Sequence, residues 1–248
     1  MITYLFKDHD PSFDIRISAI EKFCDEVNCD LRVKRNVIDM FENYTMDNPF
    51  GVPLCKIEDK DRIRYYEEVV IPHKKHVFVA LMQLRNDIID GEFLNDAEID
   101  LLLTQAVLHD LSKFTIAEDG YINKFIASPD TEILDPIKVK RDFKYAWMHH
   151  IKVNAHHPEY WIMFDDTQQV NKVMNMPDRF IAEMLADWIG AGQSYETDWK
   201  EYLTDHYSKK IISTETDAKL RVLIKNIYEF DLPSNDFATK NSTEPEIR

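Results

Sequence analysis

Residues 95–112 read NDAEIDLLLTQAVLHDLS, and the fold is decided there. Leu102, Leu103, Ala106 and Val107 recur at helical spacing. Asn95 is placed as an N-cap with Glu98 three residues on, a variant of the capping box. The segment therefore predicts an amphipathic helix opening at Asn95. Near its C-terminal end His109 adjoins Asp110, between Val107-Leu108 and Leu111. These apolar flanks predict a buried pair. An isolated buried carboxylate costs several kcal/mol or neutralises, so Asp110 needs a partner. A divalent metal is one candidate and Lys113, one turn on, is the other. Adjacent residues on a helix stand about 100° apart, so both side chains reach one metal only at the core-facing edge.

Helical periodicity extends outward from this segment. From 59 to about 90 it runs through Ile63, Tyr66, Val69 and Val70, then Val77, Leu81, Leu84 and Ile88, with Pro72 as a kink or a boundary between two helices. Further helices are predicted over 116–127, from Pro136 to His150, from near Pro158, from Pro177 to about Gly190, and near 195–208 and 215–230. Upstream, DIRISAIEKFCDEV and LRVKRNVIDMFENY are also helical, after a short β-like run from Ile2 to Phe6. The stretch MDNPFGVP at 46–53 is a break. The expected fold is an all-α helical bundle. Its expected organisation is an N-terminal appendage or cap over 1–57, a helical metal-binding domain over 58–231 and a polar, disordered tail over 232–248.

Composition sets the class. The 248 residues, 44% hydrophobic and 30% charged, suit a soluble globular chain with a substantial core. Only 5 glycines occur, well below the average usage of about 7%, which argues against turn-rich β architectures and Rossmann folds. No G-x-G-x-x-G or P-loop pattern is present. Cys24, Cys29 and Cys55 have no metal-like spacing and read as free thiols of a reducing cytoplasm. The N-terminus lacks the basic and apolar regions of a signal peptide, and no run approaches the roughly 18 apolar residues of a membrane span. A net charge of -15 argues against polymeric nucleic acid and leaves room for a small anionic substrate, because a bound cation can dominate the local field.

Six of the nine histidines fall in tight groups: His73 with His76, His149 with His150, and His156 with His157. In IPHKKHVFVALMQL (71–84), His73 shares a helix face with Val77, Leu81 and Leu84, while His76 points elsewhere. AWMHHIKVNAHHPEYW (146–161) places four histidines beside two tryptophans, as in a pocket wall. In MPDRFIAEMLADWIGAG (176–192), Glu183 and Asp187 are one helical turn apart among apolar residues. Their plainer alternative is the charged edge of an amphipathic helix.

In the order His73, His109-Asp110, a middle histidine group and Asp187 on successive helices, residues 65–192 resemble the HD-domain metalloprotein superfamily. The segments HKKHV, HDLSKF, AWMHH, NAHHPEYW and EMLADW are also similar to a narrower phage and bacterial HD-like family with no established activity. The resemblance implies an all-helical fold holding one or two divalent ions (Mn, Fe, Ni, Co or Zn). His73, His109, Asp110 and Asp187 match the ligands of the first ion. For a second, His150 and His157 are favoured, since seven residues is two helical turns, with His149 and His156 left open.

On that resemblance the expected activity is metal-dependent hydrolysis of a nucleotide or other small phosphate ester by a metal-activated water. Asp110 would bridge two metals or orient the water. Lys113 would neutralise phosphoryl charge, and Glu183 would act as acid/base or orient a ligand. Asn154 and Trp161 are the candidate substrate contacts. The competing expectations are a di-iron oxygenase on the same scaffold and a non-catalytic protein that sequesters a ligand or inhibits an enzyme. The expected partner is a small anionic phosphate-containing substrate, with no polymeric nucleic acid and no membrane, and with an oligomer left open. The expected location is a cytoplasm, the host's if the chain is phage-encoded.

Overall fold

The computed structural model describes residues 12–43, 55–89, 93–127, 135–166 and 170–235. The fold is all-α. In chain order the helices are α1 (Phe13–Glu26), α2 (Leu31–Glu42), α3 (Asp59–Tyr65), α4 (Ile71–Ile89), α5 (Asp96–Leu108), α6 (Gly120–Ile126), α7 (Pro136–Val153), α8 (Asp178–Ser194), α9 (Trp199–His206) and α10 (Thr214–Tyr228). None is long and apolar enough to cross a membrane. The β-like run at 2–6 and the break at 46–53 lie outside the described residues.

The chain divides into two compact units, at different places from the 1–57 and 58–231 division. One comprises Met1–Pro72 with Leu111–Trp147, and the other His73–Asp110 with Met148–Arg248. The chain leaves the first unit, returns to it after Asp110 and leaves it again within α7, so no single boundary separates the two.

In the first unit α1 packs on α2 and α3, and α3 packs on α6. Ile20, Phe23, Val37, Phe41 and Tyr66 are buried there. Pro72 neither ends a helix nor leaves a gap. A π-helical segment, Tyr66–Val70, precedes it, and the Ile71 N–H donates to the Tyr66 carbonyl five residues back. Proline lacks an N–H and its ring crowds the carbonyl four residues earlier, so local widening lets the helix continue.

In the second unit α5, α9 and α10 pack against α8. Leu81, Leu84, Leu102, Ala106, Ile181, Leu185, Leu203 and Leu220 belong to one buried cluster. Leu103 lies off that face, 42% exposed. The capping box at Asn95 and Glu98 forms as expected. Gly190 sets the approach of α8 to α4: a Cβ there would stand 2.6 Å from Val77 Cγ2 and 2.7 Å from the Val77 main-chain nitrogen.

Two expectations need correction. No α-helix begins near Pro158. Pro158–Trp161 is a single 3-10 turn, followed by β1 (Ile162–Asp165), which pairs antiparallel with β2 (Val170–Val173). The run Trp-Ile-Met-Phe is aromatic and β-branched in character, and no 3.6-residue stripe continues beyond it. The polar tail begins later than 232. Leu232 is buried, Arg221 donates to the Leu232 and Pro233 carbonyls, and Asn235 donates to the Tyr207 and Lys210 carbonyls. The rest of the predicted tail, 236–248, lies outside the described residues.

Candidate metal centre

The site is built within the second unit from four segments: the start of α4, the end of α5, the end of α7 with the loop after it, and the middle of α8. His73 occupies the first turn of α4, with Val77 buried on the same face. His76 turns away, its Nδ1 3.0 Å from Ser194 Oγ.

The His-Asp pair does not lie on a helix. α5 ends at Leu108, His109 is its C-cap in an extended conformation (φ -46, ψ 128), and Asp110 follows at φ 54. The 100° separation expected on a helix is replaced by a terminating bend. Asp110 occupies the left-handed position where helices usually place glycine; its short polar side chain tolerates that conformation better than most. The bend turns both side chains to one place. His109 and Asp110 are each 1% exposed.

The two oxygens of Asp110 face different histidines. Oδ2 is 3.5 Å from His73 Nε2 and 3.5 Å from His109 Nε2. Oδ1 is 3.4 Å from His150 Nε2 and 3.5 Å from His156 Nε2. Asp187, on α8, closes the first group, with Oδ1 3.2 Å from His73 Nε2 and 3.5 Å from His109 Nε2. These spacings exceed the roughly 2.7–2.9 Å of a charge-assisted hydrogen bond. They match the separation of about 3–3.6 Å between ligand atoms that share an ion bound at about 2.0–2.2 Å. The buried Nε2 atoms of His109 and His156 make no hydrogen bond. Ligand atoms from three sets converge closely enough to hold an ion: His73, His109 and Asp110; His109, His156 and Asp187; and Asp110, His150, His156 and His157. The residues therefore fit a divalent metal, and Asp110 belongs to two of the three sets.

Glu183 fixes the rings. Its Oε1 lies 2.9 Å from His109 Nδ1 and 3.2 Å from His156 Nδ1, while Gln105 donates to Oε2 at 2.6 Å. With Nδ1 of both rings turned to one carboxylate, Nε2 of both is presented to the cluster. Burial disfavours the charged form of each group here, but the neighbours outweigh it. The Asp110, Asp187 and Glu183 carboxylates raise His109 to about 9. The His156 and His109 rings lower Glu183 to about 2. Asp187 is likewise held well below its usual range by His109 and His73, against burial. His157 goes the other way: burial, then the His156 and His150 rings, push it well below 6.5, leaving a neutral imidazole.

His73, His109, Asp110, His150, His157, Glu183 and Asp187 thus come together. His156 joins them, although the two-turn spacing had favoured His150 and His157 over it. α7 ends at Val153, so that spacing has no helix to act on, and the Asn154–Pro158 break was the signal that both His156 and His157 could turn inward. Gln105 gave no signal in the sequence. His149 is half-buried and belongs to none of the converging sets. Asn154 and Trp161 brace the loop. The Asn154 amide donates to the His150 carbonyl at 2.9 Å, and the Trp161 indole N–H donates to the Ala155 carbonyl at 2.7 Å. The indole's one donor is therefore spent within the protein. Lys113 lies in the first unit, where its ammonium stands over the Tyr121 ring, 5.0 Å from the centroid.

A family of unknown function, DUF5662, matches residues 62–226, about two thirds of the chain, and the chain belongs to that family. No curated protein and no solved structure matches it.

Proposed function

We propose that this DUF5662 member is a metal-dependent phosphohydrolase of HD-like type, acting on a nucleotide or another small phosphate ester. One observation carries the reading: each oxygen of a single buried carboxylate, Asp110, faces its own pair of histidine Nε2 atoms. A first ion would be held by His73, His109 and Asp110 with Asp187, whose Oδ1 faces both rings, and a second by Asp110, His150, His156 and His157. Divalent metal held there supplies Lewis acidity toward a phosphoryl oxygen and a water whose pKa falls toward about 7.

The chain's own residues do the rest. Asp110 ties the two ligand groups together. Glu183 holds the His109 and His156 rings by their Nδ1 atoms, so it is a positioning residue rather than the acid or base. Asp187 keeps 15% of its side chain exposed, which leaves this edge of the cluster open to a ligand. A small phosphate suits a chain of net charge -15 better than a polyanion does. The resemblance of residues 65–192 to the HD superfamily supports the same reading.

Metal analysis of the purified protein, combined with a phosphate-release screen over mono-, cyclic and dinucleotides, tests it. The expected result is bound Mn, Fe, Ni, Co or Zn and phosphate release that EDTA abolishes. Undiminished release by a metal-free His109→Ala/Asp110→Ala variant would overturn the proposal.

A further inference from the structure

Lys74 is 1% exposed, and the chemistry proposed above makes no use of it. It follows the ligand His73 on α4, yet its ammonium reaches the end of α5. There it donates to the Val107 carbonyl at 3.2 Å and to the His109 carbonyl. A lysine this deeply buried is rare and is kept only where its charge and donors are taken up.

The carbonyls it holds belong to the segment that needs holding. The last carbonyls of an α-helix have no partner within it. In α5 the Gln105 carbonyl accepts the last helical bond, from the His109 N–H, and the chain leaves the helix at His109 and Asp110. Lys74 takes two of the carbonyls that follow, Val107 and His109, on either side of Leu108. The peptide carrying the His109 carbonyl is also the one that enters Asp110. Fixing its plane fixes the backbone on both sides of it, including the left-handed φ of 54 at Asp110. Glycine would take that conformation freely, but glycine has no carboxylate.

We infer that Lys74 is a positioning residue that acts through the main chain to hold Asp110 in its left-handed turn, so that one carboxylate oxygen is delivered to each histidine pair. The inference rests on the metal-site reading given above. It assigns α4 two tasks from adjacent residues: His73 offers a ligand, and Lys74 sets the backbone of the shared ligand opposite.

Titration of the full chain with Mn(II), read by calorimetry and electron paramagnetic resonance, tests this. Two Mn ions joined through a carboxylate give an exchange-coupled signal that isolated ions lack. The unaltered chain is expected to show it. Lys74→Met keeps the apolar stem and removes the donors; it is expected to lose the coupled signal and bind the second Mn at least tenfold more weakly. A chain that binds no Mn at all would sink the metal-site reading itself. Binding and coupling unchanged in Lys74→Met would overturn the role of Lys74 alone. Should Lys74→Met not fold, the same substitution is placed on Asp110→Gly, where the turn no longer needs holding. Recovery of folding there supports the inference, and failure in both backgrounds overturns it.

Discussion

Arg16 in the first unit and His109 in the second are buried to the same degree, 0% and 1% exposed, and each meets carboxylates. Their surroundings differ in kind. The Arg16 guanidinium donates to Ser12 Oγ, the Tyr66 hydroxyl, the Phe114 carbonyl and both oxygens of Asp119, and Arg62 adds a second contact to Asp119 at 2.7 Å. Donors there meet acceptors at hydrogen-bonding distance, and of these groups only Arg62 Nε is buried without a partner. At His109 one ring nitrogen is anchored on Glu183, while the other faces carboxylates at 3.5 Å and makes no hydrogen bond. A buried charge cluster that closes on itself holds a fold together. One that leaves lone pairs converging is arranged for something else.

The contrast can be broken from the first unit. Asp119→Ala leaves two buried guanidinium groups without the carboxylate they share. It is expected to cost about 3–5 kcal/mol in urea denaturation, equally with Mn(II) and with EDTA. A loss that depended on metal would erase the distinction between the clusters. Asp110→Asn, by contrast, keeps a residue that tolerates the left-handed turn and removes the shared charge. The stabilisation conferred by Mn(II), about 2.7 kcal/mol at a hundred times its Kd, is expected to vanish from thermal unfolding curves. Glu183→Gln should weaken Mn(II) binding about 10–100-fold by calorimetry, with the metal-free stability changed far less.

The last effect is the pH dependence, and its sign separates the two states of the site. His109 is raised from 6.5 to about 9, so its charged form stabilises the metal-free fold fully below 6.5 and ceases to as pH rises through 9. Metal needs the neutral ring, so Mn(II) stabilisation should grow across the same window. Melting temperatures with EDTA and with Mn(II) should therefore diverge between pH 6.5 and 9, and parallel curves would argue against His109 as a ligand.

Much of this was legible in the sequence because it depends on local pattern. The 3.6-residue stripe and the Asn95–Glu98 box marked α5, and the apolar flanks of His109-Asp110 marked its burial. The order His73, His109-Asp110, Asp187 likewise identified residues that converge. What was hidden depends on termini and on distant partners. Helical phase extended past Val153 favoured His157 and passed over His156, since a helix end breaks the rotation on which such counting rests. Lys74 and Gln105 lie on ordinary helix positions, and only the fold brings them to the His109 carbonyl and to Glu183. Lys113, three residues after Asp110, falls in the other unit, which the chain enters at Leu111.

Gly190 gives a diagnostic that can be read in relatives without any structure. It stands one turn after Asp187, and the obstacle to a larger residue includes the main chain of Val77 as well as its side chain. Shrinking Val77 would therefore not make room. Asp187 and Gly190 form a D-x-x-G tetrapeptide in which the carboxylate marks the ligand and the glycine marks the closeness of α8 to α4. A relative that retains the aspartate but has a bulkier residue three positions on has moved those helices apart. In it, His73 and the aspartate should no longer be counted as a pair.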